Sequence, residues 1–147
     1  MIIRPLHAAD KDMYIEMSDA FYKSDAVLYP VPLKHFESTF DEIMKGSEFA
    51  KCYIAEENGE ILGYGLTART FSQEAGGLSV FIEELYIKDG FRSRGIGKKL
   101  IEHIIADEPC AKRFRLEIEA DNKRAIELYS RLGFKPLDYL QMYKSRD

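Results

Sequence analysis

The chain has 147 residues, of which 46% are hydrophobic and 31% charged, enough for one domain spanning residues 1–147 with a single sizeable core. No stretch approaches the roughly 18 apolar residues of a membrane span, and the N-terminus lacks the apolar core of a signal peptide, so we expect a cytoplasmic protein without a membrane partner. The net charge of −4 argues against nucleic acid as the main partner.

The charge is divided unevenly along the chain. Residues 1–87 hold 7 basic and 15 acidic side chains, whereas residues 88–147 hold 14 basic and 10 acidic ones. A basic C-terminal half suits a polyanionic cofactor, and an acidic N-terminal half suits a cationic acceptor such as an amine. The acidic half is equally compatible with charges that only solvate a surface.

Cysteine and histidine give no sign of a metal or disulfide framework. Cys52 and Cys110 are too few for a disulfide scaffold and lack metal-ligand spacing, so both are expected to be reduced thiols. His7, His35 and His103 are far apart in the sequence, and no pair has the H-E-x-x-H spacing. The sequence therefore predicts no metal site.

The N-terminal half predicts a strand, two helices and a hairpin. A first strand over residues 2–6 is restricted by Pro5 to a sheet edge or to its own end. Asp10 precedes a helical pattern and is a candidate cap for it. The further elements are helices over residues 10–22 and 33–44, separated by a loop with Pro30 and Pro32, and strands over residues 50–55 and 61–71, joined by a turn at Asn58-Gly59.

The C-terminal half alternates strands and helices. A turn at residues 75–77 leads into a strand, so that strands two, three and four are predicted to form an antiparallel meander. The predicted order is then the strand ending at Ile87, a helix ending near Ala106, a strand over residues 113–120, a helix capped by Asp121 or Asn122 and ended by Gly133, and a last strand over residues 135–143.

A glycine-studded basic segment follows the strand that ends at Ile87. The segment reads Arg92-Ser93-Arg94-Gly95-Ile96-Gly97-Lys98 and lies at the start of a predicted helix. Glycines let an anionic group approach the backbone N–H groups at the positive end of the helix dipole. Neither the dinucleotide fingerprint nor the P-loop pattern is present, so the sequence predicts a phosphate site of another kind.

Two motifs together resemble those of the GCN5-related N-acetyltransferase (GNAT) family. The R-x-x-G-x-G arrangement from Arg92 to Gly97 resembles the acetyl-coenzyme A motif of that family. A second family signature, N-x-x-A-x-x-x-Y-x-x-x-G-F, is complete here as Asn122, Ala125, Tyr129, Gly133 and Phe134. The resemblance implies an α/β (α+β) fold of order βααβββαβαβ, with a mixed, mostly antiparallel central sheet and helices on both faces.

The strand before the basic segment contains a slip in its apolar period. Ile82 and Leu85 are three residues apart, whereas Leu85 and Ile87 are two apart, and such a slip at Glu83-Glu84 predicts a β-bulge. In the resembled family this bulge separates two strands, and the pantetheine arm of acetyl-CoA enters the gap. The resemblance therefore implies that cofactor binding involves the backbone of Leu85, Tyr86 and Ile87, the pyrophosphate-binding segment Arg92, Ser93, Arg94, Gly95, Ile96, Gly97 and Lys98, and also Asn122 and Tyr129.

The two adjacent glutamates are the candidate catalytic groups. A protonated amine is not a nucleophile, so a base or a water relay must remove its proton before it attacks the thioester. The segment FIEELYI is similar to that of the family's polyamine and diamine acetyltransferases, which implies Glu83 as the base and Glu84 as a contact for the cationic acceptor. The second motif implies Tyr129 as the acid that protonates the leaving thiolate. Tyr22, Tyr29, Phe36 and Phe40 are candidates for the acceptor pocket, with Phe36 and Phe40 more typical of a core.

The resemblance implies an acetyl-CoA-dependent N-acetyltransferase that uses no metal. It would transfer acetyl directly to a primary amine of a small cationic molecule, polyamine-like or diamine-like, or to an exposed amino group. A polyamine, an aminoglycoside, an amino acid and a peptide N-terminus are all compatible acceptors, and the acidic bias only favours a cation. The alternative is a domain of the same fold that binds a CoA thioester without turnover, as a sensor or interaction module. Dimers are common in this family, so a homodimer is one expected state.

Overall fold

The computed structural model describes residues 1–25 and 27–146 as one open five-stranded sheet with helices on both faces. A short 3-10 helix spans Ala8–Asp10. The strands are β1 Ile2–Pro5, β2 Ala50–Glu57, β3 Glu60–Ser72, β4 Gly77–Ile87 and β5 Arg113–Leu116, and the helices are α1 Lys11–Tyr22, α2 Leu33–Met44, α3 Ile96–Asp107 and α4 Lys123–Arg131.

The strands lie in the order β1-β2-β3-β4-β5, and β1 to β4 are antiparallel neighbours. The meander of β2, β3 and β4 is confirmed. Asn58 and Gly59, between β2 and β3, have φ values of 51° and 80°, the left-handed pair that a tight hairpin turn requires. Pro5 ends the edge strand β1, where its missing N–H group interrupts no central ladder.

The last strand pair is parallel, since α3 carries the chain from the end of β4 back to the start of β5. Val80 of β4 lies beside Phe114 of β5 in the register. The two strands pair only from Ser79 to Ile82 on the β4 side. The half of β4 beyond Ile82 therefore has a hydrogen-bonded neighbour on one side only, β3, within the part of the chain that the structure describes.

Two apolar cores cover the two faces of the sheet. The core under α1 and α2 contains Tyr14, Met17, Phe36, Phe40 and Tyr64, and the core under α3 contains Tyr53, Val80, Leu100, Ile101 and Ile104. Along α3 the buried residues recur at helical spacing, which is why this helix forms where the sequence predicts it. The expected helices on both faces are confirmed.

The β-bulge predicted at Glu83-Glu84 is confirmed. Leu66 of β3 lies opposite Glu84, and the next residue, Thr67, lies opposite Ile82, so that Glu83 is skipped in the register. As a result Ile82 and Leu85 both face the core under α3, although they are three residues apart. The bulge thereby brings two carboxylates to the opposite face within two consecutive residues.

Two predictions for the C-terminal part were wrong. The strand β5 ends at Leu116 and does not continue to residue 120, and residues 135–143 form no strand among the described residues. In the predicted last strand, Leu137 and Tyr139 fall on one face and Leu140 and Met142 on the other, a pattern that suits only a strand buried on both faces. The side chains of all four are exposed, from 42% for Leu137 to 92% for Leu140.

Asp10 was also misassigned as a side-chain cap. The residue does precede α1, but its carboxylate accepts hydrogen bonds from the Arg4 guanidinium at 2.8 and 3.0 Å and from the His7 N–H at 2.7 Å. These bonds tie β1 to the start of α1.

No helix in the described part of the chain is both long enough and apolar enough to cross a membrane.

Candidate active site

A cleft of about 1080 Å³ opens where β4 ends and α3 begins. Its walls come from the end of α1, the second half of β4, the turn after β4, the first turn of α3 and the start of α4. Most of the predicted cofactor contacts lie in this cleft: Leu85, Tyr86, Ile87, Arg92, Ser93, Gly95, Ile96, Gly97, Lys98 and Asn122.

The N-terminus of α3 faces this cleft with an unusual cap. Gly95 is the N-cap residue, has a left-handed φ of 75°, and supplies no side chain for capping. The first N–H groups of a helix have no partner within the helix, so they are available here to an anion. A methyl group on Gly97 would lie 3.5 Å from Leu85 Cδ2, which places the glycine backbone close to β4.

Basic side chains surround this helix start, although acidic ones also line the cleft. Arg92 donates from Nε to the Ile87 carbonyl at 3.0 Å, and Arg124 of α4 donates to the hydroxyl of Ser93. The cleft lining includes five basic and four acidic side chains. Free N–H groups beside Arg92, Lys98 and Arg124 fit the diphosphate of a coenzyme A molecule.

The β4 edge on the α4 side is open beyond the bulge. Leu85, Tyr86 and Ile87 pair with β3 on one side, and β5 ends before reaching them on the other. An extended amide chain could therefore hydrogen-bond to this edge as an additional strand would. The open edge fits the pantetheine arm and supports the expected role of these three residues.

Glu84 is buried and bound by two tyrosines from different elements. Its side chain lies on the α1 and α2 face and the residue is only 7% exposed. The hydroxyl of Tyr22, at the end of α1, donates to Oε2 at 2.8 Å, and the hydroxyl of Tyr64, on β3, donates to Oε1 at 2.5 Å. Burial raises the pKa of Glu84, the charge of Glu83 raises it further, and the two hydrogen bonds oppose the rise.

Glu83 is the residue that the bulge leaves out of the register. Its side chain is exposed at the mouth of a second pocket. Partial desolvation raises the pKa of Glu83, and the nearby charge of Glu117, just after β5, adds to the rise. A carboxylate with a raised pKa that remains accessible can accept a proton from a bound molecule.

The second pocket, which we call the acceptor pocket, has a volume of about 360 Å³ and lies beside both glutamates. It is enclosed by α1, α2, the segment between them, and the strands β3 and β4. Its lining residues are Tyr14, Tyr22, Val31, His35, Phe36, Thr39, Phe49, Ala50, Leu66, Thr67, Ala68, Glu83 and Glu84.

The aromatic residues proposed for acceptor binding divide into two groups. Tyr22 and Phe36 line the acceptor pocket and stack with ring centroids 5.5 Å apart. Phe40 is buried in the core under α2, and Phe36 is also part of that core, as the sequence indicated. Tyr29 is 63% exposed and does not line the pocket, so the structure does not bring it to the site.

Tyr129 and Arg94 lie outside the lining of the large cleft. Tyr129 is half-buried on α4, packs with its ring centroid 5.8 Å from that of Phe134, and has its pKa raised by burial. Arg94 is exposed and lies 5.2 Å from the centroid of the Phe91 ring. Asn122 caps α4 by accepting from the Ala125 N–H at 3.2 Å, and it also lines the cleft.

Sequence reasoning missed three features that build the site. The bond from Arg124 to Ser93 joins α4 to the phosphate segment across 31 positions, and Lys23 at the end of α1 also lines the cleft. The basic bias of the C-terminal half was the only available signal for Arg124. The pairing of Tyr22 and Tyr64 with Glu84 had no sequence signal, because it depends on how α1 packs against the sheet.

Comparison with known proteins agrees with this geometry. A model of the acetyltransferase (GNAT) family matches residues 11–134. Thialysine N-epsilon-acetyltransferase of Sus scrofa is 32% identical over 100 residues, covering 60% of this chain and 58% of that protein. An uncharacterized N-acetyltransferase of Methanocaldococcus jannaschii is 31% identical over 138 residues, covering 90% of this chain and 60% of that protein.

Among solved structures, AAC(6')-Iy in complex with the bisubstrate analog CoA-S-monomethyl-acetylneamine has a TM-score of 0.81 at 16% sequence identity, covering 99% of this chain and 98% of that one. This similarity concerns the fold. The chain matches 58% of the length of the first curated relatives. Because the family model covers most of the sequence and the fold agrees, this chain belongs to the acetyltransferase (GNAT) family.

Proposed function

We propose that this protein is an acetyl-CoA-dependent N-acetyltransferase that acts on a primary amine. The acceptor is a small cationic molecule, polyamine-like or diamine-like, or an exposed amino group. One observation carries the proposal: consecutive residues of β4 line two pockets, with Glu83 and Glu84 in the acceptor pocket and Leu85 to Ile87 in the large cleft. A thioester at the open edge and an amine beside the glutamates would therefore meet at the bulge.

The large cleft binds and orients the coenzyme. The N–H groups at the start of α3, with Arg92, Lys98 and Arg124 beside them, hold the diphosphate, and the backbone of Leu85 to Ile87 holds the pantetheine arm. Bound acetyl-CoA supplies an activated acetyl thioester. The protein contributes proximity, since both reactants are held on one strand.

The acceptor pocket prepares the amine. Glu84, fixed by Tyr22 and Tyr64, attracts the ammonium group, and Glu83 removes a proton directly or through water. Attack by the neutral amine forms the C–N bond, and the adduct breaks the C–S bond of the thioester. The nitrogen loses its second proton to a base and keeps one as the amide N–H. Tyr129, which burial keeps protonated, is the proposed acid for the leaving thiolate.

The names of the similar proteins support an amine acceptor. The relative from Sus scrofa is named for acetyl transfer to the ε-nitrogen of thialysine, and another structure of AAC(6')-Iy is described as an aminoglycoside N-acetyltransferase in complex with CoA. Both names describe acetyl transfer to nitrogen.

Binding without turnover is the second candidate, and the position of Tyr129 favours it. Tyr129 does not line the cleft, so the proposed acid is not among the groups that surround a bound thioester. A sensor domain needs the cleft but needs neither Tyr129 nor the glutamates in a working arrangement.

The deciding experiment is a thiol-release assay with acetyl-CoA across amines, diamines, polyamines, aminoglycosides and short peptides, run beside calorimetric binding of acetyl-CoA. Thiol release with one class of amine would establish the transferase and its acceptor class. Binding of acetyl-CoA with silence across the panel would favour the sensor. Absence of CoA binding would overturn both functions, because both depend on the cleft at the start of α3.

A further inference from the structure

The acceptor pocket carries fixed charge of one sign. Glu83 and Glu84 line it, and no Lys or Arg is among its described lining residues. Within residues 1–25 and 27–146, neither glutamate forms an ion pair with a basic side chain. The negative charge at the bulge is therefore left for a ligand to neutralise.

The other walls of this pocket are largely apolar or aromatic. Val31, Phe36 and Leu66 provide apolar surface, and the rings of Tyr14 and Tyr22 complete the inner side. His35 is the one described lining side chain that could gain a positive charge, and it is exposed on α2. A ligand that carries an anionic group would find no buried cation to pair with it.

The two hydroxyl groups that bind Glu84 are already committed. Tyr22 and Tyr64 each donate to one oxygen of Glu84, so neither hydroxyl hydrogen is available to a carboxylate of the ligand. An anionic ligand group that took either hydroxyl hydrogen would leave a carboxylate oxygen of Glu84 without its donor. The site is thus built to accept hydrogen-bond donors and to repel acceptors that carry charge.

We propose that this pocket selects primary amines whose amine-bearing carbon carries no carboxylate, such as alkylamines, arylalkylamines and amino alcohols, and that it rejects the α-amine of amino acids. This inference rests on the proposed transferase function and names the acceptor class for it.

The physical basis is repulsion at short range. An α-carboxylate lies within about 3–4 Å of its own amine nitrogen, so an amine bound at Glu84 places that carboxylate near both glutamates. Like charges this close together at a protein surface repel each other. We expect the carboxylate to lower kcat/KM at least about tenfold.

The test uses pairs of acceptors that differ in the carboxylate. Alaninol, leucinol and phenylalaninol are compared with alanine, leucine and phenylalanine in the thiol-release assay. The amino alcohol keeps the side chain and an amine of similar basicity but replaces the carboxylate by a neutral hydroxymethyl group. We expect every productive pair to favour the alcohol at least tenfold in kcat/KM.

Two variants then assign the discrimination to the pocket. Glu84→Gln removes one of the two charges, so the alcohol-to-acid ratio should fall several-fold even where the absolute rate is low. Glu37→Gln removes an exposed charge from α2 outside the pocket lining and should leave the ratio unchanged. A ratio that stays the same in Glu84→Gln would mean that the charge at the bulge does not select the acceptor.

The failure of this inference can be told apart from failure of the function. Equal turnover of acid and alcohol, or preference for the acid, would overturn the inference and leave the transferase intact. If no amine of any class releases thiol, the transferase fails, and calorimetric binding of phenylalaninol and phenylalanine to the protein with CoA decides the inference. Tighter binding of the alcohol would support it, and equal binding or binding of neither would overturn it.

Discussion

The hydroxyl of Tyr22, the last residue of α1, donates a 2.8 Å hydrogen bond to Glu84 on the bulged strand β4, 62 positions away. Tyr64, from the neighbouring strand, donates to the other oxygen of the same carboxylate. The carboxylate is thus held between a helix and the sheet by two donors. Its position and its ionisation both depend on residues that no local sequence pattern connects with it.

Removing the inner donor should destabilise the fold in a pH-dependent way. Tyr64→Phe deletes a fully buried hydroxyl and leaves Glu84 Oε1 without its partner, which costs about 1–3 kcal/mol of the free energy of unfolding at neutral pH. The hydrogen bond lowers the pKa of Glu84, so its stabilisation is present when Glu84 is ionised and is lost as pH falls through the pKa of that group. Urea denaturation at several pH values measures this dependence.

The matched control for this variant is Tyr86→Phe. Tyr86 lies on β4, is half-buried, and has no side-chain hydrogen bond among the described contacts. Its change to Phe should alter the free energy of unfolding by less than about 0.5 kcal/mol. Equal losses in the two variants, or a loss in Tyr64→Phe that does not depend on pH, would contradict the assigned hydrogen bond.

The pH dependence of turnover should identify the base. Desolvation raises the pKa of Glu83, so as the pH falls this carboxylate becomes protonated at a higher pH than an ordinary glutamate. Because only the ionised form accepts a proton, kcat/KM should begin to fall at that higher pH. Glu83→Gln should lower turnover roughly 100-fold and remove this acid limb. An unchanged profile would reject Glu83 as the base.

Glu117→Gln provides a sharper control for the same assignment. Glu117 contributes the second cause of the raised pKa of Glu83 through its charge. Neutralising Glu117 should therefore lower the pKa of Glu83 and move the acid limb of kcat/KM to lower pH, while the plateau rate stays close to that of the unchanged protein. A limb that does not move would mean that another group controls it.

Replacing Gly95 should weaken CoA binding by more than its effect on protein stability explains. Gly95→Ala places a side chain at φ 75°, which costs about 1–2 kcal/mol in stability although no described atom lies within 4 Å of the new methyl group. Gly46→Ala places the same strain at φ 82°, at the end of α2, far along the chain from the cleft. Calorimetry should show weakened CoA binding for Gly95→Ala only; equal affinities would refute the assigned diphosphate site.

Tyr129→Phe tests the proposed acid. The variant keeps the ring that packs against Phe134, so the fold and CoA affinity should change little, while kcat should fall roughly 100-fold if the hydroxyl protonates the thiolate. Tyr139→Phe, at a residue that is 65% exposed, controls for loss of a tyrosine hydroxyl elsewhere. Unchanged kcat would assign Tyr129 to the core and agree with its absence from the cleft lining.

Local patterns predicted the elements whose causes are local. The slip at Glu83-Glu84 marked the bulge because side chains alternate with a period of two, and Asn58-Gly59 marked the hairpin because both residues tolerate positive φ. The glycines and arginines after β4 marked the start of α3. The resemblance to the family supplied the expected use of these elements, and the family and fold were confirmed.

Features that depend on packing were missed or wrong. The predicted last strand was wrong because its apolar residues would need burial on both faces, and they are exposed. The early end of β5 was not indicated by any propensity at residues 117–120. Asp10 is a residue type that commonly caps helices, but its carboxylate accepts hydrogen bonds from the guanidinium of Arg4 instead. Tyr29 had the chemistry of a pocket residue and the wrong position in space.

The end of α1 takes part in both pockets at once. Phe21 and Lys23 line the large cleft. Tyr22, between them, lines the acceptor pocket and donates a hydrogen bond to Glu84. A ligand that shifts this end of the helix at one site therefore changes the other site, and linkage requires the effect to be equal in both directions. If bound CoA changes the affinity for the amine by some factor, the bound amine must change the affinity for CoA by the same factor.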